Sequence, residues 1–293
     1  MSDEKSGRQS ASYAMASMNL QPVAETASTG TFTTLPRHHE LVTQSRTIVH
    51  TIDDLDLEEF LQIAGDFGYS RFAYAVTPNV DHLIRCHEEP QFRALYRSAE
   101  YVLMDSRFIS RVLRVLTGRG LRVCTGSDLT AQLLNRVVLK DDPIVIIGGS
   151  EEQIAKLSHM YGLTNVHHHN PPMGFIHDPL AVEQCLQFVE SIGPFRFCFL
   201  AVGSPQQEML AQYLKSRGVA KGLALCVGAS LNFITGVEKR APGWLQRLSL
   251  EWLYRLMQNP RRMAGRYLIR GPRIFGHLLR ARFVLRRPIL SPR

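Results

Sequence analysis

Short, unbroken apolar runs punctuate this chain at helix-sized intervals: RFAYAV, YVLMD, PIVII, FRFCFLAV and ALCV. A strand that shows no alternation of polar and apolar residues must be covered on both faces, which is the condition of a parallel sheet. Between the runs lie segments with helical periodicity, among them VDHLIRCHEEPQFRALYRSA, EEQIAKLSHMYG and EMLAQYLKSRG. The repeated strand-helix rhythm predicts an α/β fold, a mainly parallel sheet with helices on both faces in the Rossmann-like manner. NVHHHNPP supplies a further short strand.

The rhythm starts near Thr47 and stops near Arg240, which divides the chain into three parts. Residues 1–45 are rich in Ser, Thr, Ala and Gln without periodicity and are expected to form a disordered extension. Residues 46–238 carry the α/β pattern, and residues 239–293 read as a helical, basic appendage. The chain has a formal net charge of +8, and from Arg240 to Arg293 its many arginines face a single acid, Glu251. Such a segment seeks phosphates, whether of lipid head groups, a diphosphate or nucleic acid. Taken at 100° per residue, IFGHLLRARFVLRR gathers Ile274, Phe275, Leu278, Leu279 and Leu285 on one face and Arg273, His277, Arg280 and Arg287 on the other. That is the form expected of a helix anchored on a membrane surface, with a helix docked on the domain's own surface as the lesser reading.

No run approaches the roughly 18 apolar residues that span a bilayer, and the polar start MSDEKSGRQS is unlike a signal peptide. A cytoplasmic protein is expected. The five cysteines form no CxxC pair and read as reduced, buried thiols.

In open α/β sheets, ligands bind beyond the carboxyl ends of the strands. The residues there are Thr77, Pro78 and Asn79; Asp105; Gly148, Gly149 and Ser150; and Gly203, Ser204, Pro205, Gln206 and Gln207. Gly148, Gly149 and Ser150 open a helix and could present backbone N–H groups to a phosphate, although a tight turn with Ser150 as N-cap accounts for the same residues. Asp105 could take a proton from an attacking hydroxyl, or could cap the helix that begins near Arg107. His167, His168, His169 and His177 invite a metal reading, but three adjacent residues at a strand end cannot all turn to one ion, so a loop rimming the site is expected in place of a metal site. Asp54-Leu-Asp56 reads as the acidic start of a helix rather than as a metal motif.

These blocks carry a resemblance. TPNVDHLIR, YVLMDS, RVCTGSDL, IVIIGGS, LAVGSPQQE, VGASLNFITGVEKRAPGW and LEWLYRLMQNPRRM occur in the order and at the spacings of the WecG/TagA/CpsF glycosyltransferases, which the chain resembles from about Thr47 to Arg270. The resemblance implies an inverting, metal-independent transfer, with no cofactor, from a UDP-sugar to a sugar on a polyprenyl diphosphate, in making bacterial surface polysaccharide or exopolysaccharide. It makes residues 46–238 the catalytic domain and residues 239–293 an appendage that associates with an anionic membrane surface on the inner face of the cell membrane.

By the same resemblance Asp105 is the catalytic base, and Thr77, Asn79, Gln207, Arg255, Arg261, Arg262 and Arg266 bind substrate. Gly148, Gly149, Ser150, Gly203, Pro205, Gly228 and Asn232 form the nucleotide-binding set. No nucleic-acid partner is expected, and a homo-oligomer is left open. The chain departs from the family at Ser106, where glycine is common, and at Asn232, where aspartate is common. The competing readings are a dehydrogenase-like nucleotide enzyme and a non-catalytic nucleotide- or nucleic-acid-binding protein. IIGGSEEQ lacks the GxGxxG spacing of the first, and no nucleic-acid module is recognisable for the second.

Overall fold

The computed structural model describes residues 52–118 and 120–278, without the side chains of Thr117, Arg262 and Arg266. The expected extension over residues 1–45, and Leu279, Arg280, Leu285 and Arg287 of the terminal helix, lie outside the described residues.

Six strands form one all-parallel sheet: β1 (Phe72–Val76), β2 (Tyr101–Val102), β3 (Ile144–Ile147), β4 (Val166–His169), β5 (Phe197–Leu200) and β6 (Gly222–Cys226). Their order is β2-β1-β6-β5-β3-β4. The α/β fold expected from the apolar runs is the one observed, down to the histidine strand β4 at one edge.

Helices cover both faces because side chains alternate along each strand. Tyr74, Val76, Val145, Ile147, Cys198 and Leu200 pack into one core with α2 (Val80–Glu88), α3 (Pro90–Arg97), α4 (Arg107–Thr117), α7 (Pro179–Ser191) and α8 (Gln206–Arg217). Ala73, Ala75, Ile144, Ile146, Phe197 and Phe199 pack into the other with α1 (Leu57–Asp66), α5 (Gly126–Arg136), α6 (Glu151–Tyr161) and α9 (Ser230–Thr235). All five cysteines are free and buried in these two cores.

Local sequence sets the helix starts. Asp56 caps α1 in a reciprocal capping box with Glu59, so Asp54-Leu-Asp56 marks a helix start, as read from the sequence. The single helix expected after β1 is instead two, because Pro90 opens α3 at a position where a missing N–H costs nothing. Ser106 accepts from the Ile109 N–H and caps α4. The N-cap expected of Asp105 therefore belongs to its neighbour, and the Asp105 carboxylate is left for other work.

After β6 the chain is helical: α10 (Gly243–Arg247), α11 (Glu251–Gln258), α12 (Pro260–Ala264), a π-helical turn (Gly265–Arg270) and a helical stretch over residues 273–278. Ile274 and Leu278 do not form a free apolar face. They are buried in the core on the α2 side, because the periodicity that would suit a lipid surface also suits a protein one. Arg273 and His277 pair with Glu88, and Arg270 with Asp81, so α2 receives this end of the chain. Among the described residues no helix is long and apolar enough to cross a membrane.

Candidate active site

The carboxyl ends of β1 and β2 bring Thr77, Pro78, Asn79 and Asp105 together. The Asp105 N–H donates to the Pro78 carbonyl at 3.1 Å, and the Gly126 N–H donates to Asp105 Oδ1 at 3.1 Å. Gly126 opens α5, so a carboxylate at the end of one strand faces the start of a helix. A Cβ on Gly126 would lie 2.9 Å from Thr77 Oγ1 and 3.5 Å from Ser230 Oγ, so glycine lets these loops close up.

Burial pushes the Asp105 carboxyl up to about 7. The Arg255 cation opposes that rise, Glu251 adds to it, the Gly126 N–H opposes it and Asp128 adds to it. Yet the residue as a whole is only half-buried. It is a carboxylate surrounded by protein and poised near neutral pH, which suits a proton acceptor.

Arg255 reaches this point from α11. Its guanidinium stacks 4.9 Å from the centroid of the Phe233 ring and donates to Glu251 at 2.5 Å. Of the four arginines expected at the site, Arg255 is the one, among the described side chains, whose charge is seen to act on Asp105. Arg261 is exposed on α12, and the side chains of Arg262 and Arg266 lie outside the described residues.

Asn79 caps α2, its Oδ1 accepting from the N–H groups of Asp81 and His82. Gln207 is 4% exposed and bridges two loops: its Nε2 donates to Glu208, and its Oε1 accepts from the Gly228 N–H at 2.9 Å. Glu208 beneath it is held by Tyr96, which also bonds His82. Gln207 and Gly228 thus fix each other, and the amide acts on the shape of the site.

The second group of candidates lies at the ends of β3 and β5. Ser150 caps α6, accepting from the Gln153 N–H, so the tight turn foreseen as one explanation of Gly148-Gly149-Ser150 is present. Gly148 has φ +98, and a Cβ there would lie 3.0 Å from the Ala201 backbone. Gly203 has φ +82 and its carbonyl accepts from the Gln207 N–H, with Pro205 following a cis bond. Helix α6 leaves β3 for one face of the sheet and α8 leaves β5 for the other. Their junction is the crevice where doubly wound sheets bind ligands. Asn232, on α9, accepts from Gln153 and donates to Glu238, which ties α9 to α6.

The histidines form no metal cluster among the described residues; His168 Nε2 lies 3.2 Å from the Gly148 and Gly149 carbonyls.

The sequence model of the glycosyl transferase WecG/TagA/CpsF family matches residues 46–288, most of the chain. The chain belongs to that family. The WecG/TagA/CpsF protein is therefore a glycosyltransferase, acting on a sugar donor and an acceptor.

Several contributors around Asp105 were not nominated from the sequence of this WecG/TagA/CpsF chain: Gly126, Asp128, Arg240 and Glu251. A signal did exist for one of them, Asp128. Thr125 and Asp128 have capping-box spacing, and Thr125 accepts from the Asp128 N–H while its hydroxyl donates to Asp128 Oδ2 at 2.8 Å. Arg240 meets Asp128 across 112 residues, a pairing that no local pattern announces.

Proposed function

We propose that this glycosyltransferase moves a sugar from a UDP-sugar onto a polyprenyl-diphosphate-linked sugar, with inversion and without a metal, in building bacterial surface polysaccharide. The observation that carries the reading is Asp105, a carboxyl raised to about 7 at a strand end and held by the Gly126 N–H.

In this mechanism the ionised Asp105 takes the proton of the acceptor hydroxyl as its oxygen bonds to the anomeric carbon. The bond to the UDP oxygen breaks on the opposite face, and its electron pair leaves with the diphosphate. A base whose pKa lies near the working pH combines readiness to ionise with the strength to hold the proton. Charge building on the leaving group needs cations or N–H groups already in place. Arg255 is beside the base, and Arg261, Arg262 and Arg266 follow it on the same appendage. Thr77 and Asn79 belong to the acceptor side in this reading, and Gln207 is a further substrate-binding residue. Gly148, Gly149, Ser150, Gly203, Pro205, Gly228 and Asn232 belong to the nucleotide side.

The appendage also supports action at the inner face of the cell membrane. Trp244, Leu248, Met257, Leu268 and Ile269 are exposed large apolar residues in a segment rich in arginine. Apolar side chains beside cations suit an anionic lipid surface.

The test is a panel of UDP-sugars with short-chain polyprenyl-diphosphate-sugar acceptors and EDTA, following UDP release and product mass. Acceptor-dependent release with one donor is the expected result. Silence of a folded protein across the panel, or activity that vanishes with EDTA, would overturn the corresponding part of the reading.

A further inference from the structure

Arg240 lies in the segment that leads from the sheet into the C-terminal helices, and only part of its guanidinium is engaged. Nη1 donates to Asp128 Oδ1 at 2.6 Å. Nε and Nη2 are buried and have no hydrogen-bond partner among the described residues. In a planar guanidinium these two nitrogens form one edge, with N–H bonds that point the same way and match two oxygens of a phosphate. Buried cationic donors that lack an acceptor are costly, so a fork of this kind calls for an anion.

Its position makes that requirement specific. Asp128 lies in the first turn of α5, two residues after Gly126, whose N–H holds Asp105. Asp128 is itself fixed from three sides, by Arg240, by Arg107 at 2.9 Å and by the Thr125 hydroxyl. Burial pushes its carboxyl up, and the hydrogen bonds from Arg240 and Thr125 outweigh this and hold it below the usual range. Asp128 is thus an anion at neutral pH, and it aims Arg240.

We infer that Arg240 is a diphosphate-binding residue of the active site, braced by Asp128 and presenting its Nε–Nη2 edge to two phosphate oxygens. This rests on the transferase reading above, in which a diphosphate occurs in both the nucleotide donor and the lipid-linked acceptor. Unlike Arg255, Arg240 comes from the loop that follows α9 and is held by the α/β domain itself.

The experiment measures equilibrium binding, by calorimetry, of the full chain and its Arg240→Lys and Arg240→Met variants to five probes. These are inorganic pyrophosphate, UDP, uridine, a short-chain prenyl diphosphate and the matching prenol. Arg240→Lys keeps a cation against Asp128 and should keep the melting temperature, yet it loses the planar fork. It is expected to weaken pyrophosphate binding about 10-fold, and Arg240→Met about 10- to 100-fold, the range of a hydrogen bond to a charged group. A parallel loss for UDP but not uridine assigns the fork to the donor, and a loss for the prenyl diphosphate but not the prenol assigns it to the acceptor. If Arg240→Lys binds every probe as the parent does, Arg240 is a structural ion-pair partner and the inference falls while the transferase reading stands. If the parent turns over no UDP-sugar but its pyrophosphate binding depends on Arg240, the anion site stands and the transferase reading falls.

Discussion

At the residue scale, Asp105 ties stability and turnover to pH in opposite senses. Its folded-state value of about 7 lies above the ordinary 3.8, so between those values the folded protein holds a proton that the unfolded chain has released. Stability then falls as pH rises through this window. Asp105→Asn removes that penalty, and the variant is expected to melt higher than the parent at pH 8, by about 1 kcal/mol or more, with a smaller difference at pH 4. Its turnover is expected to drop at least about 100-fold, the ordinary contribution of a general base, while UDP binding is kept. Calorimetry and UDP-release assays check the two halves, and near-normal turnover would remove Asp105 from the role of base. In the parent, turnover should rise with pH through about 7. Arg255→Met, which takes away the cation that lowers the carboxyl, should move the midpoint of that profile upward. A midpoint that stays in place would show that α11 does not act on Asp105 in solution.

At the scale of elements, the strands and the helix that follows each were legible because fully covered strands need unbroken apolar runs. The histidine strand β4 was legible for the weaker reason that a β-α rhythm left a place for it. The start of α4 was less so: Asp105 and Ser106 are both good caps, and only the backbone decides that Ser106 takes the Ile109 N–H. The terminal helix was misjudged in part, since Ile274 and Leu278 have the same spacing whether they meet lipid or protein. Their burial has a consequence for experiment. Ile274→Ala is expected to loosen residues 273–278 from α2 at a cost of about 2–5 kcal/mol, as for other large-to-small changes in a core. Hydrogen exchange should show faster exchange there and little change in β3 or β5; uniform protection would mean the helix is held by its ion pairs to Glu88 instead. Ser150→Ala removes the cap of α6 and should cost about 1 kcal/mol, measured by denaturant unfolding.

For the whole molecule, the sequence put its candidate residues at the carboxyl ends of the strands, where the structure gathers Thr77, Asn79 and Asp105, because that placement follows from topology alone. Which side chains meet there was another matter. Arg240 and Asp128, or Arg255 and Phe233, are brought together by the return of the chain after β6, and long-range closure leaves no periodic trace. The distribution of charge was legible and supports a surface experiment. Binding to vesicles of anionic lipid should weaken steeply between about 0.1 and 1 M salt, as the screening length shortens from about 10 to about 3 Å. Vesicles of neutral lipid should bind far less, and equal partitioning into both would refute an electrostatic contribution.

The position of β6 also bears on how the polypeptide matures. The last of the described strands to be made stands at the centre of the sheet, between β1 and β5, which do not pair with each other. Until Gly222–Cys226 has left the ribosome, native pairing among the described strands is limited to β2-β1 and β5-β3-β4, and β1 and β5 each lack the neighbour that covers one edge. Such edges invite pairing with other chains. Synthesis therefore passes through a vulnerable interval that ends when one five-residue strand slots between the halves. Chaperone dependence of this protein should be concentrated in that interval.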